Sequence, residues 1–238
     1  MRYLGGKGKI AKWIVAAIRP HIRGRAFWDA FCGGLSVSRE LVAAAGPGLV
    51  TDTNPALIAL YRAVASGWTP PSSITLEDYH AAKLLPDADP RKALIGFGAS
   101  FGGKWFGGYA RSTNAKGAPR NHLDETSRAL VDEVAELAGC EFACLDFLKV
   151  EPKPVNMVMY LDPPYAGTEA YGATAPFDHA AFYERARAWS RFTDVFISEY
   201  ACPVGRCVLE FGHSLQLTGG QQTNARTERL YHLAPGDL

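Results

Sequence analysis

The chain has 238 residues and a formal net charge of +1. That length suits one well-buried domain with room for a lobe inserted into it. Apolar content of 47% and charged content of 21% exclude a disordered acidic chain and a global basic field, so a nucleic-acid surface would have to gather its cations locally.

No apolar run approaches the roughly 20 residues that cross a bilayer, so no membrane partner is expected. The opening Met1 to Lys9 has no apolar stretch of signal type behind it. The five cysteines, an odd number, read as reduced thiols. Together these give a cytoplasmic expectation. Cys140/Cys144 and Cys202/Cys207 lack tight CxxC spacing, and His21, His80, His122, His179, His213 and His232 show no ligand spacing, so no metal is expected.

Residues 7–19 predict an amphipathic helix with Ile10, Trp13, Ile14, Ala17 and Ile18 on one face, ended by Pro20. A strand at 26–31, a turn at Cys32-Gly33-Gly34 and a helix to Gly46 follow. Leu49–Asp52 reads as a second strand ending in an acid, with a helix behind it. This is a βαβα opening of Rossmann type. Residues 67–139 break the rhythm with Pro70-Pro71, a glycine- and aromatic-rich stretch at 96–109, a polar loop and a helix from Leu123 to Ala138. The α/β pattern then returns: a short strand into Cys144–Phe147, a strand at 155–161 running into Asp162, a helix capped by Asp178, a strand at 194–198 and a two-stranded tail. The expected fold is α/β, with residues 1–66 and 140–238 forming a Rossmann-like domain and 67–139 a mostly helical insert.

Two constellations carry chemistry. Phe31, Gly33 and Gly34 form a strand-to-helix turn that lets backbone approach a ligand, and Asp52, at the end of the next strand, stands where such sheets hold ribose hydroxyls. No GxGxxG or GxxxxGK[ST] is present, which argues against a dinucleotide and a P-loop. Asp162-Pro163-Pro164-Tyr165 follows an apolar strand. The prolines stiffen the chain and remove two donors, leaving an acid, a carbonyl and an aromatic face around one pocket. Asp162 and the Pro163 carbonyl suit the two N–H groups of a planar exocyclic amine whose lone pair must localise as a bond forms. A base held in a duplex must be flipped out first, and stacking on Tyr165 would return about 1–3 kcal/mol of that cost.

These stretches, in this order, resemble the Dam-like DNA adenine methyltransferases, above all their short phage- or prophage-encoded members. Tyr3, Gly5, Gly6 and Lys7 are similar to the family's N-terminal Gly-Gly-Lys segment, which packs around the cofactor's methionine end. Phe31 to Gly34 resembles its FxGxG turn, although Leu35 stands where the last glycine belongs. Asp52 matches the ribose-binding acid, Asp146 and Phe147 the pair that holds the cofactor's adenine, and Asp162 to Tyr165 the catalytic DPPY.

The resemblance implies a fold of the S-adenosylmethionine-dependent methyltransferase type, with S-adenosylmethionine as methyl donor. It further implies double-stranded DNA as partner, action as a monomer or weak dimer, and residence in a bacterial or phage-infected cell. It makes the insert a target-recognition lobe, where Lys104, Arg111, Asn114, Lys116, Arg120 and Asn121 are the expected DNA contacts. His122, beside Arg120, is a further phosphate candidate, and the loop Thr218–Asn224 with Arg226 a second DNA-facing element. The same chemistry on RNA or on a protein glutamine, and a decayed homologue that only binds DNA, are the alternatives.

Overall fold

The apolar runs at 26–31, 49–52 and 155–161 all enter one sheet. The computed structural model describes residues 1, 3–113, 115–165, 177–213 and 226–236. In chain order its elements are α1 (Ala11–Ile22), β1 (Ala26–Asp29), α2 (Ser36–Ala45), β2 (Leu49–Asp52), α3 (Pro55–Ala65), α4 (Leu76–Ala81) and α5 (Pro90–Ala93). Then come α6 (His122–Glu136), β3 (Glu141–Cys144), β4 (Met157–Leu161), α7 (His179–Ser190), β5 (Val195–Glu199), β6 (Arg206–His213) and β7 (Arg226–Leu233).

The seven strands run in the order β3-β2-β1-β4-β5-β7-β6. The first five are mutually parallel, whereas β7 is antiparallel to both β5 and β6. Strand order reverses between β1 and β4, where open α/β sheets form a crevice at the carboxyl ends of their strands. The expected Rossmann-like methyltransferase architecture is thus present. Side chains alternate across the sheet and both faces are covered, which explains apolar runs without polar alternation. Phe27, Val158, Tyr160 and Phe196 join the core under α1, α2 and α3. Trp28, Met159, Leu161, Val195 and Ile197 join the opposite one with Phe182 and Trp189 of α7.

One helix, α1, differs from expectation in its inward face and in its end. The inward stripe of α1 is Ala11, Ile14, Val15, Ile18 and Ile22, and Trp13, one residue off that stripe, is 64% exposed. Pro20 lies inside α1, which runs on to Ile22 and is closed by Arg23 in the left-handed region. One lost N–H bond near the end of a packed helix is tolerated. Residues 67–139 are mostly helical. Tyr79, Ala93, Leu94, Phe97, Leu123 and Leu130 belong to the same buried cluster as α1, α2 and α3, so the segment shares its core with the sheet.

At the edge opposite the carboxyl ends, Asp194 ties three elements together. His232 Nε2 and His21 Nδ1 lie 2.7 and 3.2 Å from its Oδ1, and Arg25 Nη2 lies 2.5 Å from its Oδ2. The fold thus gathers a His-Asp-His set, its ligand atoms within 4.8 Å of one another, that sequence spacing did not signal. Burial alone would raise the Asp194 carboxyl, yet Arg25 and His232 hold it below its ordinary range. Removing the acid leaves the Arg25 guanidinium without its counter-charge and the two imidazoles without their partner, so Asp194→Ala should cost about 2–4 kcal/mol in urea unfolding with an unchanged m value. A loss under about 0.5 kcal/mol contradicts the bracing role.

Candidate active site

Every parallel strand that flanks the strand-order reversal delivers an acid to the same edge: Asp29 ends β1, Asp52 ends β2, and Asp162 follows β4 directly. Asp146 stands just beyond β3. These four acids line one cavity of about 1340 Å³ together with Tyr3, Gly5, Gly6, Lys7, Phe31, Gly33, Gly34, Pro163, Pro164 and Tyr165. Nearly all the residues singled out as catalytic or cofactor-binding in the sequence therefore share one wall.

Phe147 does not. Its side chain is 1% exposed and packs in the core against Trp28, Phe31 and Phe182. Leu148, one residue on, lines the cavity instead. Asp146 caps the short 3₁₀ turn at 147–149 by accepting from the Leu148 N–H at 3.1 Å, which turns Phe147 inward.

The turn after β1 is held from two sides. Asp52 accepts the Gly33 N–H on Oδ2 at 3.1 Å and the Asn54 N–H on Oδ1 at 2.9 Å. Each oxygen keeps a further lone pair for a hydroxyl donor. The Tyr61 hydroxyl donates to the Gly33 carbonyl. What comes close to the glycines is Tyr3: a Cβ on Gly33 or Gly34 would sit 2.9 and 2.7 Å from its side chain. Leu35 occupies the left-handed region at φ 65 and is fully buried. The backbone there has a glycine-like conformation, and packing of the leucine offsets its strain.

Around Asp162 the geometry is ionic. Lys7 Nζ lies 2.9 Å from Asp162 Oδ2 and 3.3 Å from Glu228 Oε1, and it sits over the Tyr165 ring at 4.7 Å. The Tyr165 hydroxyl donates to Glu228 Oε1 at 2.5 Å, and its ring meets Tyr200 edge-on. Burial pulls the Lys7 ammonium down, but Asp162 and Glu228 outweigh it and the net shift is upward, so Lys7 is charged at neutral pH. Burial raises the Asp162 carboxyl, against the opposing pull of Lys7. Burial raises Tyr165 as well. Lys7 thus contacts Asp162 directly, as well as lining the cavity where the cofactor packing was expected.

Glu228 was not visible as a site residue in the sequence. It lies in β7, 63 positions from Tyr165. The available signal was parity: Glu228 shares its side of the strand with the buried Leu230 and His232.

The insert forms the roof. Tyr3 packs at a tilt against Phe97 and Phe97 against Trp105, and Trp105 meets Phe106 edge-on, with centroids 4.7–4.8 Å apart; Phe97, Trp105 and Phe106 all line the cavity. The expected DNA contacts divide. Lys104, Arg111 and Lys116 are exposed, with the Arg111 guanidinium 5.8 Å from the Tyr109 ring. Arg120 is instead paired with Glu125 through two nitrogens at 2.9 and 2.5 Å. Asn121 caps α6: its oxygen accepts the Asp124 N–H at 3.0 Å and its nitrogen donates to the Ser72 carbonyl at 2.8 Å, so both ends of the amide serve the fold. His122 is buried, with Nε2 2.8 Å from Ser112 Oγ. Asn114 and the loop Thr218–Asn224 lie outside the described residues.

The donor set fits S-adenosylmethionine. Acids at the strand ends suit ribose hydroxyls and a cationic methionine end, and Phe31, Leu148 and Phe177 offer apolar faces for a purine.

Residues 3–85 match the D12 class N6 adenine-specific DNA methyltransferases. The match bears out the Dam-like resemblance carried by Tyr3 to Lys7, Phe31 to Gly34 and Asp52. It supports an adenine-specific DNA methyltransferase that takes its methyl group from S-adenosylmethionine. No curated protein matches the chain in sequence. Among solved structures, the rRNA methyltransferase AviRa of Streptomyces viridochromogenes aligns over 98% of this chain and 88% of its own, at 11% identity and a TM-score of 0.45.

Asp29 gives this site a measurable pH signature. Burial pushes its carboxyl up to about 7, although the Ser38 hydroxyl donates to it at 2.6 Å. An unfolded aspartate titrates near about 3.9. The stability that goes with the protonated form is therefore full below about pH 4 and is lost as pH rises through about 7. Between those limits the wild type should lose on the order of 2–4 kcal/mol relative to Asp29→Asn in urea unfolding. Parallel pH profiles for the two proteins contradict this.

Proposed function

We propose that this chain transfers a methyl group from S-adenosylmethionine to the exocyclic 6-amino group of an adenine flipped out of duplex DNA. The observation that carries the reading is the Asp162 carboxylate, fixed at the end of β4 beside Tyr165 and in one cavity with Asp52 and Asp146.

Bound S-adenosylmethionine supplies an electrophilic methyl on a sulfonium. Asp52 would hold its ribose, with Asp146 and Leu148 beside its adenine. The chain's remaining tasks are orientation and charge. Asp162 accepts one N–H of the target amine, and the Pro163 carbonyl the other, which turns the nitrogen lone pair toward the donor side of the cavity. Tyr165, braced by Tyr200 and Glu228, offers its face to the base. The nitrogen would gain the methyl carbon as the carbon–sulfur bond breaks, the sulfur leaving as a neutral thioether, and would shed one proton. Asp162, whose proton affinity burial has increased, is the nearest carboxylate to receive that proton and pass it to water. Cys32 is buried and its thiol is raised well above its ordinary range, so it has no nucleophilic part here.

Residues 67–139 act in this reading as the target-recognition lobe, with Lys104, Arg111 and Lys116 toward phosphates. Arg120 and Asn121 are assigned to folding instead. Duplex DNA is the partner and a monomer the working unit: Asp52, Asp146, Asp162 and Tyr165 of one chain line the same cavity.

Asp162→Ala should lower kcat on adenine-containing duplex DNA by about 10²-fold or more while S-adenosylmethionine binding stays within a few-fold. Near-wild-type turnover removes Asp162 from the role assigned to it. Arg111→Ala and Lys116→Ala should each weaken DNA binding and reduce the slope of log K against log salt by about 0.9 per phosphate contact. Unchanged slopes return both residues to a solvated surface.

A further inference from the structure

Lys7 Nζ sits on one oxygen of the acceptor that the proposed reaction needs, 2.9 Å from Asp162 Oδ2. An amine N–H that enters at that oxygen shares it with, or takes it from, a buried ammonium. Moving the ammonium away from its only carboxylate would be costly in such a setting. Glu228 supplies a second one, 3.3 Å from the same nitrogen.

Topology explains how Glu228 arrives there. β7 runs antiparallel to β5, with Arg229 opposite Glu199, so the start of β7 reaches the edge where the parallel strands end. Glu228 also receives the Tyr165 hydroxyl. One carboxylate thus holds both the competing cation and the stacking ring.

We propose that Glu228 is a positioning residue for amine transfer: it takes over Lys7 when the substrate's amino group engages Asp162, and it anchors Tyr165 against the base. The inference rests on the assignment of Asp162 as amine acceptor. Charge supports it. Lys7, Asp162 and Glu228 together carry one net negative charge, which suits a nitrogen that becomes positive as the new bond forms. With glutamine at 228 the trio is neutral, and Asp162 is the only one of the two left to hold Lys7. No bond to Glu228 forms or breaks in the methyl step; it acts through Lys7 and Tyr165.

The test compares wild type, Glu228→Gln and Glu228→Asp as full-length proteins. Readouts are kcat and KM for duplex DNA, S-adenosylmethionine affinity by fluorescence titration, and thermal melting. Glu228→Gln should lose about 10²-fold in kcat, with cofactor affinity within about 2-fold and melting little changed. Glu228→Asp, which keeps the charge, should recover a substantial part of that loss. Should the glutamine variant not fold, the aspartate variant carries the comparison: kcat reduced by less than about 10-fold with cofactor affinity retained supports the role. An active wild type whose glutamine variant keeps kcat within about 3-fold overturns the Glu228 assignment alone. So does a pair of variants that lose kcat, cofactor affinity and melting temperature together, since that marks a purely structural residue. A wild type that methylates no adenine in DNA overturns the reading beneath it, and this assignment with it.

Discussion

A single buried ammonium makes the working edge of this protein possible. A parallel sheet that reverses its strand order gathers loops, and here acids, at one crevice. Asp29, Asp52, Asp146 and Asp162 all line it, and Glu228 adds a carboxylate from the antiparallel strand β7. Burial raises Asp29, Asp52 and Asp162 above their ordinary range. Lys7 is the buried cation paired with Asp162 and Glu228. It comes from the segment before α1, and its contact with Asp162 links the start of the chain to the end of β4.

The same segment explains why the insert belongs to the site. Tyr3 covers Gly33 and Gly34 so closely that neither could carry a side chain without displacing it. Its ring continues into Phe97, Trp105 and Phe106. The Leu4 N–H donates to the Gly103 carbonyl at 3.2 Å, a backbone tie between the two segments. The aromatics of the 96–109 stretch are thus both core and roof. In the proposed function, the lobe that meets DNA is coupled through them to the turn beside the cofactor.

Much of this was legible in the sequence, and the misses have physical causes. Buried parallel strands announce themselves as short apolar runs, so β1, β2 and β4 were found within a few residues. Asp162 to Tyr165 was found because two prolines after an apolar strand leave little structural ambiguity. Phe147 was expected at the cofactor because the resemblance pairs it with Asp146, whereas beside the capped turn its side chain packs into the core. Asn121 was taken for a DNA contact although asparagine directly before a helix is a common cap. Glu228 was missed because its partners lie at positions 7 and 165, and only the tertiary fold brings them together. The His21-Asp194-His232 set escaped for the same reason.

The most direct measurement is single-molecule sequencing of DNA from cells that lack their own adenine methylation and express this protein. Modified adenine should recur within one short sequence, and should vanish in cells expressing Asp162→Ala. Unmodified DNA from the wild type, with purified protein moving label from S-adenosylmethionine only into RNA or protein, would contradict the account.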